Sequence, residues 1–120
     1  MSEKLTDFQQ LNVWQKAHTL VLNIFELAKK FPKEEKGEMV VSMKQSAMII
    51  PTKIAEGFMR RSPREKEMAY KASQTAIEEV KYYLILAKDL GYIKEQEELI
   101  IAVDEVGRML TGLVRSTRNK

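Results

Sequence analysis

Side chains able to catalyse a reaction are few in this sequence of 120 residues. It contains one histidine, His18, and no cysteine, so thiol nucleophiles, disulfides and thiolate metal sites are excluded. A single histidine beside Lys16 and Thr19 on a helical segment is more often a packed or exposed surface residue than a member of a catalytic triad. The neighbouring carboxylates Glu78 and Glu79 would point about 100° apart on a helix, so they do not converge on one substrate. We therefore expect a protein that is not an enzyme and that uses no metal, cofactor or small-molecule substrate.

Arginine is the residue type whose placement could carry a function. The net charge is only +3, but residues 94–105 hold one base and five acids, whereas residues 106–120 hold four bases and no acid. A second basic segment spans residues 60–66. Because a planar guanidinium binds phosphate well, these two segments predict a nucleic-acid-binding surface. Its candidate residues are Arg60, Arg61, Arg64, Lys66, Arg108, Arg115, Arg118 and Lys120. Acids at the start of a helix and bases at its end also complement the helix dipole, and this explanation of the charges stays open.

The elements that must position these residues follow from the hydrophobic pattern. Apolar residues recur every three or four positions over residues 14–31, 39–54, 69–90 and 99–117, which predicts four amphipathic helices. No stretch alternates with a period of two, so we expect no strand. Residues 1–120 then form one all-α domain. The three links, residues 32–37, 58–62 and 91–94, are short, which favours an antiparallel up-down-up-down four-helix bundle.

Several helix ends have local signals. Ser62, followed by Pro63 and three residues later by Glu65, predicts an N-cap with proline at the first helical position. Gly91 is a natural end for the same helix, and Asn12 is the expected cap of the first helix. The bundle topology then brings the basic segments, together with Lys16 from the first helix, to one end of the molecule.

The apolar faces of the four predicted helices do not account for all the apolar residues. Residues 82–87 are apolar throughout and cover every side of the third helix, and a helix that is apolar all round is normally buried all round. We therefore expect a homo-oligomer whose interface includes Tyr82, Leu86 and Ile101. A monomer with a broad core is the alternative.

Segments along nearly the whole chain also resemble a known family. They are Val13-Trp14, Ala17-His18, Phe31-Pro32 and residues 50–57, 60–62 and 84–92. These segments resemble the bacterial four-helix-bundle proteins encoded in intervening sequences of large-subunit ribosomal RNA genes. The most distinctive motif of that family corresponds to Ile54, Ala55, Glu56 and Gly57. Residues 106–110 are similar to the Avd branch, the accessory proteins of diversity-generating retroelements.

The resemblance implies a homopentamer and, for the Avd branch, a positively charged ring that binds a reverse transcriptase and nucleic acid. The chain departs from the family at Lys44-Gln45, where many relatives have two arginines, and at Lys53, where they have asparagine. For residues 54–57 we favour packing within the bundle or between subunits over ligand binding. Glu56 is correctly spaced to pair with Arg60.

These observations predict a non-enzymatic, oligomeric accessory protein that binds RNA or DNA, and a reverse transcriptase, through a basic end. The alternative is a structural protein–protein interaction module with no nucleic-acid role. Polar residues such as Glu3, Thr6 and Asp7 interrupt the start of the sequence, and the longest apolar run is residues 82–87. We therefore expect no secretory leader, no membrane span and a cytoplasmic protein.

Overall fold

Four α-helices and two short 3-10 turns make up the computed structural model, which describes residues 5–35 and 37–118. The helices are α1 (Asn12–Ala28), α2 (Glu38–Met59), α3 (Pro63–Asp89) and α4 (Glu97–Arg118). The 3-10 turns are Phe8–Gln10 and Lys33–Glu35. No strand occurs among the described residues, so the expected all-α class with four helices is confirmed.

Each helix packs against the next along the chain, and α1 also packs against α4. The described residues enclose one apolar core to which every helix contributes. Its most deeply buried members include Leu20, Ile24, Met43, Ile50, Ile54, Val80, Leu84, Val103, Val106 and Leu110. Removing each such aliphatic side chain from water contributes roughly 1.5–3 kcal/mol before chain entropy is counted. The extents of 50 × 26 × 19 Å reflect the length of the helices, which rise about 1.5 Å per residue.

The start of α3 follows its predicted signal. The Ser62 Oγ accepts a hydrogen bond of 3.0 Å from the backbone N–H of Glu65, and Pro63 is the first helical residue. This bond satisfies one of the four amide groups that a helix start leaves unpaired. The predicted N-cap is confirmed.

The end of α3 is also where the sequence predicted it. Gly91 has a φ of 79°, a conformation that disfavours other residues because their Cβ would meet the backbone. Its N–H donates to the Lys88 carbonyl and the Tyr92 N–H donates to the Ala87 carbonyl, each at 2.9 Å. These two bonds form a Schellman motif.

The expected cap of α1 is wrong. Asn12 is the first helical residue rather than the cap, and Leu11, which precedes it, makes no side-chain capping bond. A capping box is present further upstream. The side chain of Asp7 accepts a 2.8 Å hydrogen bond from the backbone N–H of Gln9. The side chain of Gln10 accepts a 3.0 Å hydrogen bond from the backbone N–H of Asp7. The side-chain cap therefore belongs to the 3-10 turn and not to α1. The spacing of Asn12 and Gln15 did not reveal this turn.

Candidate nucleic-acid interface

A long-range hydrogen bond joins the last turn of α4 to the beginning of α3. The Nε of Arg118 donates to Oε1 of Glu67 over 2.5 Å, across 51 positions of sequence. Arg115 lies three residues before Arg118, and Arg64 lies three residues before Glu67, so the bond brings both segments to the same end of the molecule. The α2–α3 link, residues 60–62, adds two more arginines. We call this surface the basic end and define it as Arg60, Arg61, Arg64, Arg115 and Arg118.

Three arginines of the basic end form no ion pair with a described carboxylate. Arg61, Arg64 and Arg115 are exposed. None of them forms an ion pair with another residue in the part of the chain that the structure describes. An exposed guanidinium without a carboxylate partner can give all its donors to a phosphate group. These three side chains are therefore the strongest candidates for binding an anion.

The other two arginines already have carboxylate partners. Arg118 is bound by Glu67, and the Nη2 of Arg60 lies 3.6 Å from Oε1 of Glu56. The second oxygen of Glu56 lies 3.2 Å from the Nζ of Lys53. The predicted pairing of Glu56 with Arg60 is confirmed, and it reduces the net charge that Arg60 presents to solvent.

Lys66 binds backbone carbonyl groups at the end of α2, a structural role that the sequence did not reveal. Its Nζ donates to the carbonyl oxygens of Gly57 and Phe58, each at 3.0 Å, and lies 6.0 Å from the centre of the Phe58 ring. The last carbonyls of a helix have no partner within that helix. Lys66 of α3 therefore caps the end of α2 and fixes the short link between the two helices.

Two basic residues lie away from the basic end. Lys16 forms a 2.8 Å ion pair with Glu105, thirteen residues before Arg118 and so about 20 Å along α4. The expectation that Lys16 joins the basic end is wrong, because it lies beside the middle of α4. Arg108 is exposed on α4 one turn after Glu105. Lys16 chiefly, and Arg108 to a smaller degree, hold the pKa of the Glu105 carboxyl below its ordinary value. Lys120 lies outside the described residues.

The family-like motif packs α2 against α3. Ile54 is fully buried, and Ala55 is half-buried. A Cβ added to Gly57 would overlap Cε1 of the buried Tyr70 ring, so a larger residue fits beneath this tyrosine only if the ring or the helix moves. Burial raises the pKa of the Tyr70 hydroxyl. For Ile54 and Gly57 the structure supports the packing interpretation.

A groove of about 480 Å³ runs between α2 and α3 next to the basic end. It is lined by Lys53, Glu56, Arg60, Glu65, Met68, Ala69 and Ala72. The lining includes two cations, two carboxylates and three apolar side chains. Because these charges balance, the groove does not enlarge the positive surface.

The residues predicted for an oligomer interface differ in exposure. Tyr82 is 59% exposed and Ile101 is 63% exposed, whereas Leu86 is half-buried. Sequence reasoning missed Met59 and Met68, which are 74% and 64% exposed. Most large exposed apolar side chains lie on α2 and α3, as Val41, Met48, Ile49, Met59, Met68, Tyr82 and Ile85. For Val41 and Met48 the signal in the sequence was their seven-residue spacing, which places both on one side of α2.

An aromatic cluster at the start of α1 was also missed. The rings of Trp14 and His18 stack with centroids 5.1 Å apart and planes at 9°, and Phe8 meets Trp14 edge-on at 5.1 Å. His18 is exposed, in agreement with its predicted place at the surface. Phe25 lies further along α1, and the Nζ of Lys44 on α2 lies 4.8 Å from the centre of its ring.

Groups that could support other chemistry are dispersed. Over residues 5–35 and 37–118, no three side chains among histidine, aspartate and glutamate are placed to hold a metal ion. Glu78 is exposed, and Glu79 accepts a 3.4 Å hydrogen bond from the hydroxyl of Ser46 on α2. None of the helices in the described part is long and apolar enough to cross a membrane.

The fold and the site together define a small four-helix, all-α protein with a concentration of arginines at one end. Comparison with protein families assigns it further. The model of the 23S rRNA-intervening sequence protein family matches residues 9–112, and the chain belongs to this family.

The fold is shared with a protein of known structure. The chain is similar to the crystal structure of a protein of unknown function from the S23 ribosomal protein family of Bacteroides thetaiotaomicron VPI-5482, with a TM-score of 0.79. The two are 21% identical, and the match covers 86% of this chain and 95% of the other. At this identity the likeness concerns the fold alone. None of the curated proteins compared with the chain matches it.

Proposed function

We propose that this protein is a non-enzymatic, oligomeric accessory protein of the cytoplasm that binds nucleic acid through its basic end. The observation that carries the proposal is the convergence of Arg61, Arg64 and Arg115, three arginines without ion-pair partners among the described residues. They come from two distant segments that the Arg118–Glu67 hydrogen bond holds together. Guanidinium groups on an exposed surface bind phosphates with little regard to base sequence.

The position of Arg64 argues against helix-dipole complementarity as the full explanation. Arg64 is the second residue of α3, where the helix dipole is positive and disfavours a cation. Arg115, by contrast, lies near the end of α4, where the dipole favours a cation. A cation kept at an unfavourable helix position supports a role in binding.

The proposal includes an antiparallel up-down-up-down bundle. Contacts between α3 and α4 support it, because the partner numbers fall along α4 as they rise along α3. Glu67 meets Arg118, Gln74 meets Thr111, Lys81 meets Asp104 and Lys88 meets Glu97. The same order holds between α2 and α3, where Ser46 contacts Glu79 and Ile50 contacts Ser73.

The proposal also includes self-association, as a homopentamer according to the family resemblance. The exposed apolar side chains of α2 and α3, with Tyr82 and Ile101, support it because such surface normally meets a partner. If subunits stand parallel in a ring, their basic ends share one face. A nucleic-acid strand could then contact several copies, which multiplies weak individual contacts.

Binding is tested by titrating a labelled ~20-nucleotide RNA, with DNA of the same sequence alongside, at salt concentrations from about 50 to 200 mM. We expect log affinity to fall linearly with log salt. Combined replacement of Arg61, Arg64 and Arg115 by glutamine should lower the slope by about 2 and the affinity roughly a hundredfold at 0.1 M salt. Absence of binding by the wild type at 50 mM salt would overturn the proposal.

In a matched control, glutamine replaces three exposed lysines that lie outside the basic end, Lys30, Lys33 and Lys94. This variant has the same net charge as the triple arginine variant. It should keep most of the affinity if the basic end is the binding surface. Equal losses in the two variants would mean that total charge, rather than this surface, governs binding.

Self-association is tested by sedimentation at micromolar concentration. A species several times the 13.9 kDa of one chain is expected. Replacement of Tyr82 and Ile101 by glutamate should reduce its mass without unfolding the helices, since both side chains are largely exposed. A wild-type monomer would rule out the oligomer.

A second candidate function is a protein–protein interaction module, for which the resemblance to the Avd branch implies a reverse transcriptase as partner. Met59 and Met68 favour it, because they are the most exposed large apolar side chains of the described residues and flank Arg60, Arg61 and Arg64 in sequence. A partner captured through such a surface should survive nuclease and high salt. It should be lost when Met59 and Met68 are replaced by glutamate, whereas nucleic-acid binding depends on Arg61, Arg64 and Arg115.

A further inference from the structure

We propose that Glu67 is an internal counter-ion of the basic end, which occupies Arg118 and thereby limits how many cations the surface offers to phosphates. This inference rests on the proposed function, since it concerns the regulation of the same site. It predicts that the strength of anion binding is set by one carboxylate as well as by the number of arginines.

The geometry of Glu67 sets it apart from the other paired carboxylates. Its Oε1 accepts from the Nε of Arg118 at 2.5 Å, and its Oε2 lies 3.4 Å from the Nζ of Lys71. Its side chain is 27% exposed, the lowest value among the carboxylates that form ion pairs in the described part of the chain. Limited exposure reduces screening by water. The Arg118 hydrogen bond is the main cause that lowers the pKa of Glu67, so the carboxyl is charged at neutral pH.

A carboxylate in this position opposes a phosphate in two ways. It neutralises the guanidinium of Arg118, and its own charge repels a phosphate that approaches Arg64 or Arg115. The hydrogen bond uses the Nε of Arg118, so the two terminal amino groups of the guanidinium remain donors to a phosphate. Removing the charge of Glu67 while keeping the hydrogen bond should therefore add Arg118 to the binding surface in its present orientation.

Glu67→Gln makes this change with little disturbance. The amide oxygen of glutamine can still accept from the Arg118 Nε, so the link between α3 and α4 is retained. With the RNA titration above, we expect the slope of log affinity against log salt to steepen by about 0.7 for a single strand. That corresponds to roughly fivefold tighter binding at 0.1 M salt.

The matched control is Glu105→Gln. Glu105 also pairs with one lysine at close range, but it lies about 20 Å along α4 from Arg118. The control has the same net charge as E67Q and should show a much smaller gain. The double variant E67Q/R118Q should gain less affinity over R118Q than E67Q gains over the wild type, because without Arg118 only the direct repulsion by Glu67 is relieved. Urea unfolding of each variant verifies that the fold is kept.

A second carboxylate tests, independently of Glu67, whether an internal counter-ion weakens anion binding by the basic end. Glu56 forms a 3.6 Å ion pair with Arg60, and the two residues lie four positions apart at the end of one helix, α2. Glu56→Gln should also tighten binding, through Arg60.

The outcomes separate the inference from the proposed function. Wild-type binding with an unchanged or weaker affinity in E67Q overturns the counter-ion role and leaves the proposed function standing. An equal gain in E67Q and E105Q also overturns it, since net charge would then be the cause. If neither the wild type nor E67Q binds at low salt, both proposals are wrong.

Discussion

The two ends of the α3–α4 pair are built on the same kind of contact and differ in the charge that remains. At one end Lys88 donates to Glu97 at 3.1 Å, and at the other Arg118 donates to Glu67 at 2.5 Å. In each case a base near the end of one helix meets an acid near the start of the other, which suits both helix dipoles. Of these two ends, among the described residues, only the basic end has arginines outside ion pairs, namely Arg61, Arg64 and Arg115. Dipole complementarity therefore explains the paired charges and the position of Arg115, but it does not explain Arg61 or Arg64.

The two ends are also closed by different means. At the basic end the link is residues 60–62, and a close fit between Gly57 and Tyr70 holds α2 against α3. At the other end the link is residues 90–96, and it turns through the left-handed backbone of Gly91. One closure depends on side-chain packing and the other on backbone conformation. Three substitutions and one pH titration test the comparison of the two ends.

The largest effect is expected for Gly57→Ala. Three atoms of the Tyr70 ring would lie within 2.9 Å of the new Cβ, so either the ring or the helix must move. We expect a loss of about 2–3 kcal/mol in the free energy of unfolding, within the range for overpacked cores, measured by urea denaturation. Gly112→Ala is the control, because a Cβ there meets no atom within 4 Å; it should stabilise α4 by about 1 kcal/mol. A G57A variant as stable as the wild type would refute the close fit.

Gly91→Ala tests the closure at the opposite end. A Cβ there has open space, but the φ of 79° is strained for alanine. We expect a loss of about 1–2 kcal/mol. Gly91→Asn should lose less, because asparagine tolerates this conformation better. If asparagine and alanine cost the same, backbone conformation is not what this end depends on.

Ser62→Ala removes the cap of α3 at the basic end. The Glu65 amide would lose its hydrogen bond with the serine hydroxyl, and we expect about 1 kcal/mol less stability. Ser62→Gly is the control and should lower the free energy of unfolding by only a few tenths of a kcal/mol, roughly. Thermal unfolding of both variants distinguishes the lost cap from a general effect at the link.

The smallest effect concerns pH and should appear at both ends. The Arg118 hydrogen bond chiefly lowers the pKa of Glu67, and for Glu97 a hydrogen bond from its own backbone, then Lys88, lowers the pKa. A lowered pKa in the folded state gives stability that is present above the ordinary carboxyl value near 4.5 and lost as pH falls through the folded value. The melting temperature should therefore fall as the pH drops below about 4.5. Glu67→Gln and Glu97→Gln should each reduce that fall, and an unchanged pH profile in both would contradict the assignment.

Much of the helical architecture could be predicted because its signals are local. The N-cap at Ser62 and the Schellman motif at Gly91 depend on atoms three to five residues apart, and the apolar stripes need only the helical repeat. The cap of α1 was mispredicted for the same reason. Two capping patterns, at Asp7 and at Asn12, compete within a few residues, and spacing alone does not rank them.

The candidate site was predicted only in part. The sequence indicated which residues are basic, but the carboxylate that each cation meets depends on how neighbouring helices are aligned. Lys16 was expected at the basic end and lies beside Glu105 instead. Lys66 was expected to bind an anion, and it also caps the end of α2.

The sequence by itself determined four amphipathic helices, the ends of α3 and two clusters of arginine. These features arise from interactions between residues close in the chain, whose geometry is the same in any helix. Only the tertiary structure decided that Glu67 meets Arg118 and that Gly57 lies under Tyr70, because a shift of one turn between helices would change every such partner. The charge that the basic end offers to a ligand is a property of that alignment.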